Sequence, residues 1–507
     1  MGFFKKTSPR RSQVRRNISA ERFLLISRFA NTDNLISAML WLLFVTLTVF
    51  IISLELIRQK IYLDLLPITV LVVLISAAAA FYIHHYQKRI IKKHARAFVL
   101  AGMFILLLGT TKLGGMLTEQ NSWATGTAVT AAIILTIAYD QRFAIGMSIF
   151  YIVLASFATA TQTDISLFLT MSAGALTCCF CLREIRTRMK LLEVTSLATV
   201  IVFLTVTSLE FLAQKPTAEI FRNAGWHSLA TFLVGLFIQS LLPLIEKIFR
   251  IATSMTLLDH SDANQPLLKR LAMEAPGTFS HSLLVGSVAE AAAEAIGCNG
   301  LLCRVGAYYH DIGKINKPGY FAENEIGSTS RHGELSPAMS QLIIVGHVKD
   351  GIEMAKEYGL PAVLRQFIET HHGTTLVEYF YSEAKKKQDG KQSPPSESEF
   401  RYAGPKPQTK EAAIVMLSDT IEGAVRSMHA ELTPTKIEAA VHNMAMKRLQ
   451  DGQFDECELS LRELSQIETS ISKTLAAHHH GRVAYPKAPD VPEDIQSQSE
   501  QNDQKNK

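Results

Sequence analysis

The sequence predicts an all-α protein in two parts, a polytopic transmembrane helix bundle of about eight spans followed by a cytoplasmic all-helical domain. Three observations predict it. Apolar runs near bilayer-crossing length fill residues 35–249, charged residues become frequent from Asp259 onward, and strand-like alternation is scarce throughout the second part. A chain of 507 residues also exceeds what a single hydrophobic core organises.

The first element, residues 1–34, is a basic arm in which Lys5, Lys6, Arg10, Arg11, Arg15 and Arg16 crowd together. It holds much of the net charge of +5, so the excess reads as membrane-surface electrostatics and not as affinity for a nucleic-acid polymer. No short apolar stretch with a small-residue cleavage site follows, and the first span is expected to be retained. Eight apolar segments come next, at residues 35–57, 62–84, 97–114, 125–139, 143–160, 165–182, 193–212 and 227–246, the fourth being short. Backbone amides find no partner in lipid, and the alternating pattern of a membrane barrel is missing, so the spans are read as helices.

Basic residues set the orientation. An N-terminus inside places the linker with Lys88, Arg89, Lys92, Lys93 and Arg96 in the cytoplasm, together with the linker holding Arg183, Arg186, Arg188 and Lys190. The loops at residues 118–123 and 161–164 carry no Lys or Arg and fall outside; an even number of spans then puts both termini in the cytoplasm. Asp64, Lys112, Glu210 and Glu246 read as interfacial, which makes the bundle an anchor or sensor more than a substrate pathway.

In the second part, residues 246–258 are amphipathic and read as a helix continuing out of the membrane. Residues 287–296 form a helix stopped by Gly297, and residues 341–358 and 410–429 carry helical spacing. Cys178, Cys179 and Cys181 lie in an apolar run, and Cys298, Cys303 and Cys457 have no zinc-like spacing, so neither a disulfide framework nor a thiolate metal site is implied.

The chemistry is carried by His310-Asp311 within residues 306–314, preceded by His281 and followed by His347, His371, His372 and Asp419. Each residue alone reads as a core histidine or a surface carboxylate. Together they offer imidazole nitrogens and carboxylate oxygens, the ligands of borderline and hard divalent metals, and adjacent His and Asp let one helical turn present a nitrogen and a bridging carboxylate. Seven such residues exceed the donors one octahedron uses, so two divalent ions are expected, with iron or manganese favoured because no Cys belongs to the set. Paired ions clamp phosphate oxygens, acidify a water and stabilise the leaving oxygen, which is phosphodiester hydrolysis. Asp311 and Lys314 are the catalytic candidates, Lys314 standing one turn after the dyad, where its ammonium is placed to neutralise a phosphate oxygen. No Walker-type loop or Gly-x-Ser-x-Gly elbow is present.

These residues, with the strings at 264–270, 275–283, 318–324, 335–337, 346–351, 371–376, 400–407 and 418–419, resemble the seven-transmembrane HD phosphohydrolases, membrane-bound bacterial phosphodiesterases that degrade cyclic di-AMP. The resemblance covers residues 257–486, the expected HD phosphohydrolase domain. It implies a two-metal site of iron or manganese on the seven residues above, cleavage of cyclic di-AMP to pApA, a bacterial inner-membrane location, and substrate contacts from Lys314, Tyr320, Thr374 and Thr375. The implied partners are a cyclic dinucleotide and the lipid bilayer, and a homo-oligomer is left open. Another cyclic dinucleotide or nucleotide as substrate, or nucleotide binding without turnover, stays compatible with the residues themselves. Family members commonly carry a large extracellular domain between the first two spans, whereas only about four residues, Arg58 to Ile61, separate them here.

Residues 385–398 read as a polar surface loop, a candidate lid over the site. His478, His479 and His480 read as incidental, because three consecutive histidines do not build a distributed site. Residues 487–507 read as a disordered tail.

Overall fold

The computed structural model describes residues 32–479 except 62, 64, 88–89, 91–93, 119–120, 160–164, 183–186, 250, 326–330, 388–394 and 429–432. Most of the basic arm, the C-terminal tail, Asp64, the centre of the 385–398 loop and much of both basic linkers therefore lie outside the described residues. Those residues divide into two units near His260–Ser261, with Pro361–Val363 grouped with the first. All their regular elements are helices, and the only strand-like pairing among them is an isolated bridge between Leu376 and Arg401.

The first unit contains α1 (Thr32–Arg58), α2 (Leu65–Tyr86), α3 (His94–Thr118), α4 (Ser122–Ala138), α5 (Gln141–Thr159), α6 (Ile165–Cys181), α7 (Arg188–Leu212) and α8 (Thr217–Phe249). Six of them are long and apolar enough to cross a membrane, while α4 and α6 are shorter apolar helices. With 17 residues, α4 spans about 25 Å at ~1.5 Å per residue, short of a hydrocarbon core of ~30 Å. It compensates by enclosure. Ala124, Ala128, Ala131 and Ala132 have no exposed surface, and such small side chains let α3, α5, α6 and α8 approach closely.

Ionisable groups in this unit have specific partners. Glu210, near the end of α7, accepts at 2.9 Å from Lys215 Nζ in the turn that follows and at 2.9 Å from Asn223 Nδ2 on α8. Lys112 differs from the interfacial expectation. It stands six residues before the end of α3 and is only 8 % exposed, because nearly two further helical turns separate it from the helix end. The expected continuous helix over residues 246–258 is also broken. Here the Glu246 carboxylate accepts from the Thr253 backbone N–H at 2.7 Å and from the Thr256 hydroxyl at 2.8 Å, replacing main-chain helix bonds where α8 ends and α9 (Ser254–Ser261) begins.

The second unit contains α10 (Pro266–Glu274), α11 (Pro276–Ala295), α12 (Gly300–Tyr309), α13 (Pro337–Glu357), α14 (Ala362–Thr370), α15 (Glu378–Lys386), α16 (Lys410–Arg426), α17 (Pro434–Gln450) and α18 (Leu461–His479), with short 3-10 turns between α12 and α13. Local chemistry sets the ends. Gly297 takes φ +72° and stops α11, as its position in the sequence suggests. Asn299, Ser336, Thr409 and Thr433 each accept a backbone N–H at the start of the helix that follows. Residues 412–418 of α16 are all buried, making it the central helix of a core shared with α11, α12, α14, α17 and α18.

Candidate metal centre

Each donor is presented by the end or the inner face of a helix. His281 lies on α11 and His347 on α13, His310 and Asp311 stand where α12 gives way to a 3-10 turn, His371 and His372 follow the last residue of α14, and Asp419 follows the buried run of α16. Two glycines allow these elements to meet. A Cβ at Gly306 would overlap the ring of fully buried Phe367, whose burial contributes roughly 1.5–3 kcal/mol, so α12 lies directly on α14. A Cβ at Gly313 would overlap the His347 carbonyl oxygen, so the turn after the His310-Asp311 dyad rests on α13.

The seven expected donors converge. Asp311, His347, His371 and His372 form one set and His281, His310, Asp311 and Asp419 a second, each with donor atoms within 4.8 Å of one another. Asp311 is common to both and uses a different oxygen for each. Its Oδ2 lies 3.2 Å from His310 Nε2 and 3.8 Å from His281 Nε2, whereas its Oδ1 lies 3.3 Å from His347 Nε2 and 3.4 Å from His371 Nε2.

Tautomers are fixed from behind. His310 Nδ1 donates to the Ala307 carbonyl, His347 Nδ1 to that of Ile344 and His371 Nδ1 to that of Ile368, which turns each Nε2 toward the cluster. His310 Nε2 and Asp311 Oδ1 are buried without a hydrogen-bond partner. Buried polar atoms are costly in that condition, and a divalent cation is the partner that converging nitrogen and oxygen lone pairs share. The residues present fit a divalent-metal centre.

Charge is balanced around Asp311. Burial opposes its ionised form, but the His310 imidazole and the Lys314 ammonium outweigh burial and hold its pKa well below the usual carboxylate range. For His310 burial opposes the cation, but the Asp311 and Asp419 carboxylates outweigh it and raise the pKa to about 10, so these carboxylates draw a positive charge to Nε2, a proton or the divalent ion that would displace it. His371 and His372 are lowered by burial and therefore neutral, as ligands must be.

The remaining expected residues occupy distinct positions. Lys314 Nζ bridges Asp311 Oδ2 and Glu323 Oε1, 2.7 Å from each. Tyr320 lies under the Arg331 guanidinium, 5.9 Å from its ring centroid, and its carbonyl accepts from His332. Thr375 donates its hydroxyl to the His372 carbonyl at 2.7 Å, and the Thr374 hydroxyl pairs with Gln453 Nε2 at 3.0 Å, so both brace the turn that carries His371 and His372. His478 is exposed at the end of α18 and belongs to neither donor set.

Residues 62–253 match the family model described as a 7TM receptor with intracellular HD hydrolase, and residues 278–424 match the HD domain model. In this order, a 7TM part followed by an HD domain, the two matches resemble the arrangement of the seven-transmembrane HD family. It is 36 % identical over 367 residues to the cyclic-di-AMP phosphodiesterase PgpH of Listeria monocytogenes serotype 1/2a (strain 10403S), covering 71 % of this chain and 50 % of that protein. It is 46 % identical over 257 residues to the cyclic-di-AMP phosphodiesterase PgpH of Bacillus subtilis (strain 168), covering 51 % of this chain and 35 % of that protein. The chain thus spans between about a third and a half of the length of these curated relatives. Crystal structures of the L. monocytogenes PgpH HD domain, one of them in complex with cyclic-di-AMP, align with 45 % identity and TM-score 0.40, over 43 % of this chain and 100 % of theirs.

Three residues at the centre are not marked by the sequence. Glu422, one turn beyond Asp419, accepts from His281 Nδ1 at 2.5 Å and orients that imidazole. Tyr402 lays its ring against His372, with centroids 4.3 Å apart. Gln453, fully buried, accepts the Thr374 backbone N–H at 3.0 Å. The spacing of Glu422 from Asp419 on α16 was the available signal; Tyr402 and Gln453 reach the site from sequence-distant loops with no donor chemistry to mark them.

Proposed function

We propose that this protein is a two-metal phosphodiesterase anchored in the bacterial inner membrane, with both termini cytoplasmic, which hydrolyses cyclic di-AMP to pApA. The observation that carries the reading is the membership of Asp311 in two donor sets at once. Similarity to the two cyclic-di-AMP phosphodiesterases supports the substrate, and the alternation of basic linkers with loops free of Lys and Arg supports the orientation. Nitrogen and carboxylate donors without thiolate favour iron or manganese.

His281, His310, Asp311 and Asp419 would hold one ion and Asp311, His347, His371 and His372 the other. Paired ions there supply polarisation of the phosphate, activation of water and stabilisation of the leaving oxygen. The chain's own residues prepare the setting for this. Backbone carbonyls turn three Nε2 atoms toward the cluster, and Glu422 orients a fourth imidazole through its Nδ1. Burial disfavours the Lys314 ammonium, but Asp311 and Glu323 raise its pKa and keep it charged, ready to meet a non-bridging phosphate oxygen. Tyr320, Thr374 and Thr375 line the approach to substrate in this reading, the two threonines chiefly by holding the paired histidines.

The test is metal analysis of the anaerobically purified full chain, with chromatographic detection of products from cyclic di-AMP, for wild type and Asp311→Ala. Wild type is expected to hold two ions and release pApA, and the variant to lose both metal and turnover. Equal activity in the two proteins refutes the site, and faster turnover of cyclic di-GMP refutes the substrate.

A further inference from the structure

Next to the metal cluster, α17 carries a cation whose donors are only partly used. Arg448 Nη2 donates to Thr420 Oγ1 at 3.2 Å, and Thr420 follows Asp419 on α16. Its Nε is buried with no hydrogen-bond partner. The carboxylates in its surroundings are Asp419, Glu378 and Asp451, and each is engaged elsewhere. Asp419 faces His281 Nε2 at 3.0 Å, Glu378 pairs with Lys447 at 2.5 Å, and Asp451 takes Arg401 at 3.0 Å and Gln453 at 2.8 Å. No salt bridge to Arg448 occurs among the described residues, so a mostly buried guanidinium stands beside the centre without a paired anion, a costly arrangement in an enclosed site. Its planar fork of N–H donors matches phosphate oxygens better than any other side chain does.

We propose that Arg448 binds the second phosphate of the cyclic dinucleotide, the one not being cleaved, and so makes a doubly charged macrocycle a better substrate than a simple phosphodiester. The inference rests on the phosphodiesterase reading above. One phosphate engages the metal centre, and the other, across the macrocycle, pairs with the guanidinium of Arg448, a side chain that is not fully buried. After cleavage the same side chain holds the uncut phosphodiester of the linear product.

The experiment compares kcat/KM for cyclic di-AMP with kcat/KM for bis(4-nitrophenyl) phosphate, which has a single phosphate, using the full chain with manganese supplied. In Arg448→Gln the ratio of the two is expected to fall about ten- to hundredfold, chiefly through KM for the dinucleotide, the range set by one charged hydrogen-bond pairing. Arg448→Lys, which keeps the charge but not the fork, is expected to fall between that variant and wild type. A merely structural role lowers both substrates in parallel, and an unchanged ratio overturns the anchor while leaving the phosphodiesterase intact. Should Arg448→Gln lose its helical circular dichroism, the same ratio in Arg448→Lys decides. Failure of wild type to turn over cyclic di-AMP at all overturns the phosphodiesterase reading and the anchor with it.

Discussion

Replacing Glu422 by Gln probes the metal centre without altering any proposed ligand. One Glu422 oxygen accepts from His281 Nδ1 at 2.5 Å, and the other meets Arg426 Nη2 at 2.8 Å. A glutamine has one carbonyl oxygen, so it keeps one of these contacts and turns an NH2 group toward a donor at the other. His281 then loses either its fixed tautomer or the carboxylate that raises the basicity of Nε2. Substitutions of this kind lower metal affinity about ten- to hundredfold, or ~1.4–2.7 kcal/mol. The assay is calorimetric titration of the metal-stripped full chain with Mn²⁺, with circular dichroism to monitor folding. An affinity within about twofold of wild type, in a variant of unchanged helicity, would refute the argument that His281 is a ligand oriented from behind.

Two further outcomes concern stability. Gly313→Ala forces a Cβ onto the His347 carbonyl and is expected to cost about 1–3 kcal/mol, seen as a lowered melting temperature of the second unit; an unchanged melting temperature would show that the turn does not rest on α13. Glu463 is held down to about 2, first by the ammonium of Lys410 and then by the Ser460 backbone N–H. A depressed carboxyl contributes stability that is fully present above its ordinary value near 4.5 and is lost as pH falls through about 2. The melting-temperature difference between wild type and Glu463→Gln is therefore expected to shrink on acidification from pH ~5 to ~2; a difference that grows on acidification contradicts this assignment.

The helical architecture and the seven donors were legible for different reasons. Bilayer-length apolar runs announce α1, α2, α3, α5, α7 and α8 by composition alone. The shorter α4 reads weakly because its hallmark is small side chains that allow close packing, which a hydropathy window does not register. His281, His310, Asp311, His347, His371, His372 and Asp419 stand out because their side chains are rare in combination and chemically alike as donors. What the sequence conceals is direction. It shows that Asp311 adjoins His310, but not that its two oxygens face different histidines, since that depends on how α12, α13 and α14 pack. Glu422 has the look of an ordinary helix carboxylate until α11 brings His281 against it. Thr374 and Thr375, expected at substrate, have hydroxyls committed to Gln453 and to the His372 carbonyl, partners that only the folded turn supplies.

The placement of Asp311 also shapes what genetic variation can do to this protein. Every other donor serves one half of the cluster, so its replacement by a non-ligating residue leaves the opposite half with its complement intact. If both halves hold an ion as proposed, a change at position 311 would disable both in one step and permit no graded intermediate. Lineages that drift away from catalysis by losing histidines one at a time would pass through singly competent forms; a lineage that loses this aspartate would not.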